Sequence, residues 1–119
     1  MKRLSLIVFV LSFTFTTPVM AMDKDGRYMA AGYSCGEWVE IRKEDGWWST
    51  VLENWIDGYV SAYNTQTPDV YHILGSTDKE SVYLWMDKYC QDNPLNELPN
   101  GMLELTIELW PNRKRTQDD

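Results

Sequence analysis

The chain has 119 residues, only two of them cysteine, and a formal net charge of −7 at pH 7. That length allows one domain with a thin core, because small domains bury a smaller share of their surface than large ones. The acidic balance excludes a nucleic-acid-binding face, and the single basic cluster, Arg113-Lys114-Arg115, reads instead as favourable charge just past a helix carboxyl end.

The first 21 residues read as an export signal. Lys2 and Arg3 give a positive start, and Leu4 to Phe15 form an apolar run interrupted only by Ser5, Ser12 and Thr14. The run is about half the ~20 residues a membrane-spanning helix needs, so no stable membrane insertion is expected once the signal is removed. Pro18 breaks the run, and Val19-Met20-Ala21 fits a signal-peptidase site, which predicts cleavage after Ala21 and a mature chain of 22–119 in the periplasm or beyond. Losing Lys2 and Arg3 leaves 9 basic against 18 acidic residues, a formal charge of −9. In an exported chain the two cysteines pair with each other, so a Cys35–Cys90 disulfide is expected to close a loop of 55 positions and stabilise the fold by roughly 4 kcal/mol.

The mature chain opens on a leader without apolar period, Met22 to Gly32, and helical signals begin at Ser34. Ser34 with Glu37 three residues later is a capping-box spacing, and Cys35, Trp38 and Val39 share a face, which predicts a helix from Cys35 to about Lys43. Glu44-Asp45-Gly46 ends it, and Ser49 is the expected cap of a second helix reaching about Asn64. There Leu52, Trp55, Ile56, Tyr59, Val60 and Tyr63 recur at spacings of three and four, and Gly58 signals a bend or a close neighbour. A linker with Pro68 runs from Thr65 to Gly75. Thr77 and Glu80 repeat the capping-box spacing ahead of a third helix with Val82, Trp85, Met86, Tyr89 and Cys90 on one face. Asn93-Pro94 stops it, and Leu98, Met102, Leu105 and Leu109 make a fourth helix with Pro99 in its first turn. The expected fold is all-α, four short helices around a small core with the disulfide joining the first and third, ordered over about 33–110 and followed by a polar tail, 111–119.

No catalytic residue or metal ligand set is predicted, and no cofactor. The one histidine, His72, stands in the linker beside Tyr71 with no free cysteine and no serine motif to accompany it. Glu37 with Glu40 and Glu104 with Glu108 read as solvated helix faces, and no calcium-loop or zinc-ligand spacing occurs. Trp47-Trp48 stands out, because adjacent helix positions cannot both face one core. Either one ring packs inward while the other covers the domain edge, or the pair forms a sticky patch for a partner.

Three segments, Tyr33-Ser34-Cys35-Gly36-Glu37-Trp38, Asn54-Trp55-Ile56-Asp57-Gly58-Tyr59 and Trp85-Met86-Asp87-Lys88-Tyr89-Cys90, resemble the HdeA/HdeB family over about Tyr33 to Trp110. The resemblance implies a small exported four-helix protein with one disulfide between its first helix and a later one, and acid-activated chaperoning of other proteins in the periplasm. The Tai-type immunity proteins, which inhibit secreted effectors, are similar in size and helical layout. The expected function is therefore non-enzymatic protein binding: unfolded clients during acid or envelope stress, with a single effector or a purely structural envelope role as alternatives and a homodimer as a possible assembly. The candidate binding residues are Trp47, Trp48, Trp55, Ile56 and Tyr59. In strong acid, neutral carboxylates leave the 9 Lys and Arg plus His72 at about +10, enough self-repulsion to loosen a thin core and bare the apolar stripe of the second helix.

Overall fold

The first helix starts on the cap written in the sequence. In a computed structural model that describes residues 33–119, the Glu37 amide donates to the Ser34 hydroxyl at 3.1 Å and the Ser34 amide to the Glu37 carboxylate at 3.2 Å. Helix α1, Cys35–Glu44, follows, and Asp45 ends it in the left-handed region at φ 44°. The signal segment 1–21 and the leader 22–32 lie outside the described residues.

Helix α2, Trp47–Gln66, is longer at both ends than its sequence signals predict. Gly46, not Ser49, is its N-cap; Ser49 sits inside the first turn, buried, and its hydroxyl donates to Glu53 Oε1 at 3.0 Å. Lying within the helix, the serine is past the N-cap position, and its hydroxyl hydrogen goes to a carboxylate one turn on. Helix α3, Lys79–Asp92, is also capped one residue away from the expected position, by Asp78 accepting from the Ser81 amide at 2.8 Å. Thr77 is drawn into the preceding turn, its amide donating to the Leu74 carbonyl. Helix α4, Leu98–Leu109, carries Pro99 in its first turn as predicted and runs into a 3-10 turn, Trp110–Asn112.

The described residues form four α-helices and no strand, with two isolated antiparallel bridges, Ser34 with Glu97 and His72 with Lys114. α1 packs on α2 and α3, and α4 on α3. Trp38, Ile56, Met86, Leu98 and Met102 are fully buried at the centre, with the Cys35–Cys90 disulfide among them. The bridge joins the first turn of α1 to the last turn of α3 across a Cα separation of 4.7 Å. Two backbone bonds beside it, Cys35 N–H to the Asn96 carbonyl and Leu98 N–H to the Tyr33 carbonyl, tie the start of α1 to the α3–α4 loop.

Two regions contribute more than the sequence suggests. The linker is a core segment, because Val70, Ile73 and Leu74 are buried in it. The residues after α4 fold back on it: Arg113 donates to the Trp110 carbonyl, as the helix-end reading predicts, but also to the Asp69 carbonyl at 3.0 Å, and Lys114 pairs with His72. Tyr83, on α3, is also buried although it stands outside the predicted stripe.

Among the helix glycines the one that permits close packing is Gly101, while Gly75 in the linker, at φ 58°, lets the backbone of Asn112 approach. A Cβ at Gly101 would lie 2.7 Å from Met86 Sδ and 2.9 Å from Tyr89 Cδ1, whereas a Cβ at Gly58 meets nothing within 4 Å. Of the bend or close neighbour expected at Gly58, the close neighbour is absent, and the residue is exposed.

Two stability predictions follow from this packing. Cys35→Ser is expected to cost about 2–5 kcal/mol in denaturant unfolding, the usual loss for a small disulfide-stapled domain; an unchanged midpoint would show that the core alone suffices. Gly58→Ala is expected to gain about 0.5–1 kcal/mol as an exposed helix-interior substitution, while Gly101→Ala destabilises by about 1–3 kcal/mol through overpacking against Met86. Opposite signs for the two alanines, read by thermal melting, are the discriminating result.

Candidate functional site

Helix α2 carries two carboxylates, and both face inward. Glu53 accepts from Arg42 of α1 and from Ser49, and Asp57 Oδ1 accepts from the Tyr83 hydroxyl of α3 at 2.6 Å. With ~100° between successive residues, Trp47, Trp48, Val51, Trp55, Gly58, Tyr59 and Ala62 occupy the remaining flank, which is free of charge.

Trp47 and Trp48 are 74% and 63% exposed, so neither ring packs inward. Gly46 extends the helix start to Trp47, which places both rings in the first turn of α2, where α1 has already turned away. From there a row of rings runs along the helix. Tyr33 stacks on Trp55 at 5.6 Å between centroids, Trp55 meets Tyr59 at 5.8 Å, and Tyr59 meets Tyr63 at 6.3 Å. These four are half-buried against the core. Of the sequence-predicted binding residues, the structure brings Trp47, Trp48, Trp55 and Tyr59 to one outer flank and separates Ile56, which is fully buried.

Sequence reasoning passed over the polar centre that fixes this arrangement. The Arg42 guanidinium reaches across to α3 and holds Asp87 with two bonds, Nε to Oδ1 at 2.9 Å and Nη2 to Oδ2 at 3.0 Å, while Nη1 holds Glu53 of α2. Trp38 Nε1 donates to the same Asp87 Oδ1 at 2.7 Å. The guanidinium lies 5.3 Å from the Trp38 ring centroid and 5.9 Å from that of Tyr83, within cation–π range. The Asp87 hydrogen bonds raise Arg42 above its ordinary value, and burial, followed by the Asp57 bond, pushes the Tyr83 hydroxyl well above the usual tyrosine range. The visible signal was an arginine at the last turn of a short helix, seven residues after Cys35 and so on the same face.

Among the described residues, two open clefts measure about 210 and 250 Å³, the first lined by Val39, Arg42, Lys43, Asp87 and Gln91, the second by residues that include Trp85, Tyr89 and Glu104. Both are below the usual size of a small-molecule site. Among the described residues no three His, Cys, Asp or Glu side chains converge as a metal site, and no helix is long and apolar enough to cross a membrane. Glu104 and Glu108 are exposed, as expected of a solvated face, and each also meets an aromatic residue of α3, Trp85 Nε1 donating to Glu108 at 3.0 Å and the Tyr89 hydroxyl to Glu104 at 3.5 Å. A second exposed apolar row is formed by Leu103 and Ile107 of α4 and Trp110 of the 3-10 turn that follows it. No protein-family model, curated protein or solved structure matches the chain.

Arg42→Met is expected to destabilise by about 1–3 kcal/mol, because it leaves Asp87 and Glu53 half-buried without their cation. Urea unfolding measures the loss, and a shift below about 0.5 kcal/mol would remove Arg42 from its central role. In alkali, Tyr83 should ionise well above the usual tyrosine range in an absorbance titration. Since its folded-state value is raised, its contribution to stability is complete below about pH 10 and is lost as pH climbs towards that raised value. Tyr83→Phe should abolish that late step.

Proposed function

We propose that this chain is a non-enzymatic protein-binding protein of the cell envelope, which engages other proteins through the Trp47–Trp48 edge and the uncharged flank of α2. The observation that carries the reading is the exposure of two adjacent tryptophans on a helix whose carboxylates both point the other way. Large exposed aromatic groups rimmed by polar surface mark protein-interaction sites, and tryptophan is prominent among residues that dominate binding energy. The export signal, the disulfide and the resemblance to the HdeA/HdeB family support an envelope setting and a chaperone role for clients during acid or envelope stress.

A second reading has an observation of its own. The tryptophan edge is already exposed in the folded domain, so a partner need not wait for acid to open the core, which favours a dedicated partner such as the effector of an immunity protein. The two readings differ in how many proteins are bound and at what pH.

The test follows light scattering of several unrelated acid-labile proteins taken to about pH 2–3 and back to neutrality with the mature chain present. Suppressed aggregation of several clients supports the chaperone reading. Protection of none, with the chain folded and monomeric in acid, moves the assignment to the single-partner binder. In either case Trp47→Ser with Trp48→Ser should weaken binding about tenfold or more while changing stability by less than about 0.5 kcal/mol, as expected for exposed side chains. Unchanged binding by that variant would remove the edge from the account.

A further inference from the structure

The only histidine of the chain stands where the linker meets both α2 and the returning carboxy-terminal tail. Its backbone pairs with the tail: the Tyr71 and His72 amides donate to the Lys114 carbonyl at 2.9 and 3.1 Å, and the Lys114 amide donates to the His72 carbonyl at 2.9 Å. Its ring pairs with α2, Nδ1 lying 3.3 Å from Asn64 Nδ2. The roles in that contact are fixed by a neighbour. Asn64 Oδ1 accepts from the Ile73 amide at 2.8 Å, so the other end of the Asn64 amide must be its NH2 group, and His72 Nδ1 must be the acceptor.

An acceptor nitrogen on imidazole is an unprotonated one. The imidazolium carries a hydrogen on both nitrogens, so protonation sets two donors against each other at the Asn64 contact. The surroundings give the new charge no compensation. The linker supplies Asp69 and Tyr71, the tail supplies Arg113 and Lys114, and α2 supplies Asn64 with Tyr63 beside it; α3 begins further on, at Lys79 after its Asp78 cap. Among the described residues no carboxylate pairs with His72, and Asp69 meets the tail through its carbonyl oxygen.

We propose that His72 is an acid-sensitive clasp, which in its neutral form holds the linker turn on α2 and the tail on the linker, and on protonation loosens both. The consequence reaches the core, because the same turn buries Val70, Ile73 and Leu74. The clasp turns on one imidazole and so stands apart from a charge reversal of the carboxylates and from the choice between the two functional readings.

Amide hydrogen exchange of the oxidised mature chain, corrected for intrinsic rates, tests it. Loss of one hydrogen bond predicts that protection of the Ile73, His72 and Lys114 amides falls about five- to tenfold between pH 7.5 and pH 5, while the α3 amides hold theirs. His72→Gln, neutral at both pH values, should show no such fall. Wild-type protection that stays flat, or a fall of equal size in His72→Gln, would overturn the proposal. Should the variant fail to fold, nitrogen-15 spectra of the wild-type imidazole decide: Nδ1 unprotonated at pH 7.5, with its protonation coinciding with the Lys114 amide shift, supports the clasp. A protonated Nδ1 at neutral pH overturns it.

Discussion

The attachment of α1 to α3 is the constraint on which the remaining structure depends. A ten-residue helix does not persist alone in water, since nucleation is costly and few bonds follow it. α1 is held at both ends of one face: covalently at Cys35, through the Trp38 indole one turn on, and through the Arg42 guanidinium another turn on. Asp87 receives both of the latter groups, and it stands one turn before Cys90 on α3. The disulfide limits the unfolded chain, and the arginine fixes how α1 is rotated once it is docked.

That docking decides the character of α2. Arg42 draws Glu53 inward and Tyr83 draws Asp57, so the charge of α2 is taken up by its neighbours and its outer flank keeps rings and small residues. With this composition, and with no partner helix over that flank among the described residues, the helix offers the face proposed above for protein binding, which is why the tryptophan edge and the polar centre belong to one explanation. An acidic chain keeps the surrounding surface soluble while the uncharged flank remains accessible.

Much of this was legible in the sequence, and the failures have physical causes. The helices, their order and the disulfide follow from apolar spacing, the Ser34–Glu37 cap and the cysteine count. The starts of α2 and α3 shifted because α2 already has its N-cap at Gly46, three residues before Ser49, and because Asp78 caps α3 while the Thr77 amide closes the preceding turn. Spacing could not rank the glycines either: Gly58 and Gly101 look alike in a helical pattern, and only the approach of Met86 and Tyr89 tells them apart. The binding candidates divided along the same line. Trp47 and Trp48 were marked by adjacency, whereas the periodic stripe that included Ile56 mixed core with flank, because a spacing of three and four covers more than one helix face. Arg42 and the His72 pairing were hidden since each depends on partners 45 and 42 positions away, Asp87 and Lys114.

The claim that α1 is bound to α3 as one unit is open to direct measurement by native-state hydrogen exchange of the oxidised protein at neutral pH. If the disulfide and the Arg42–Asp87 bonds act as described, the inner amides of α1, from Val39 to Lys43, open only together with those of α3 from Tyr83 to Cys90, and both report one free energy of opening. Amides of α1 that exchange ten times faster or more than those of α3, through an opening of their own, would contradict it.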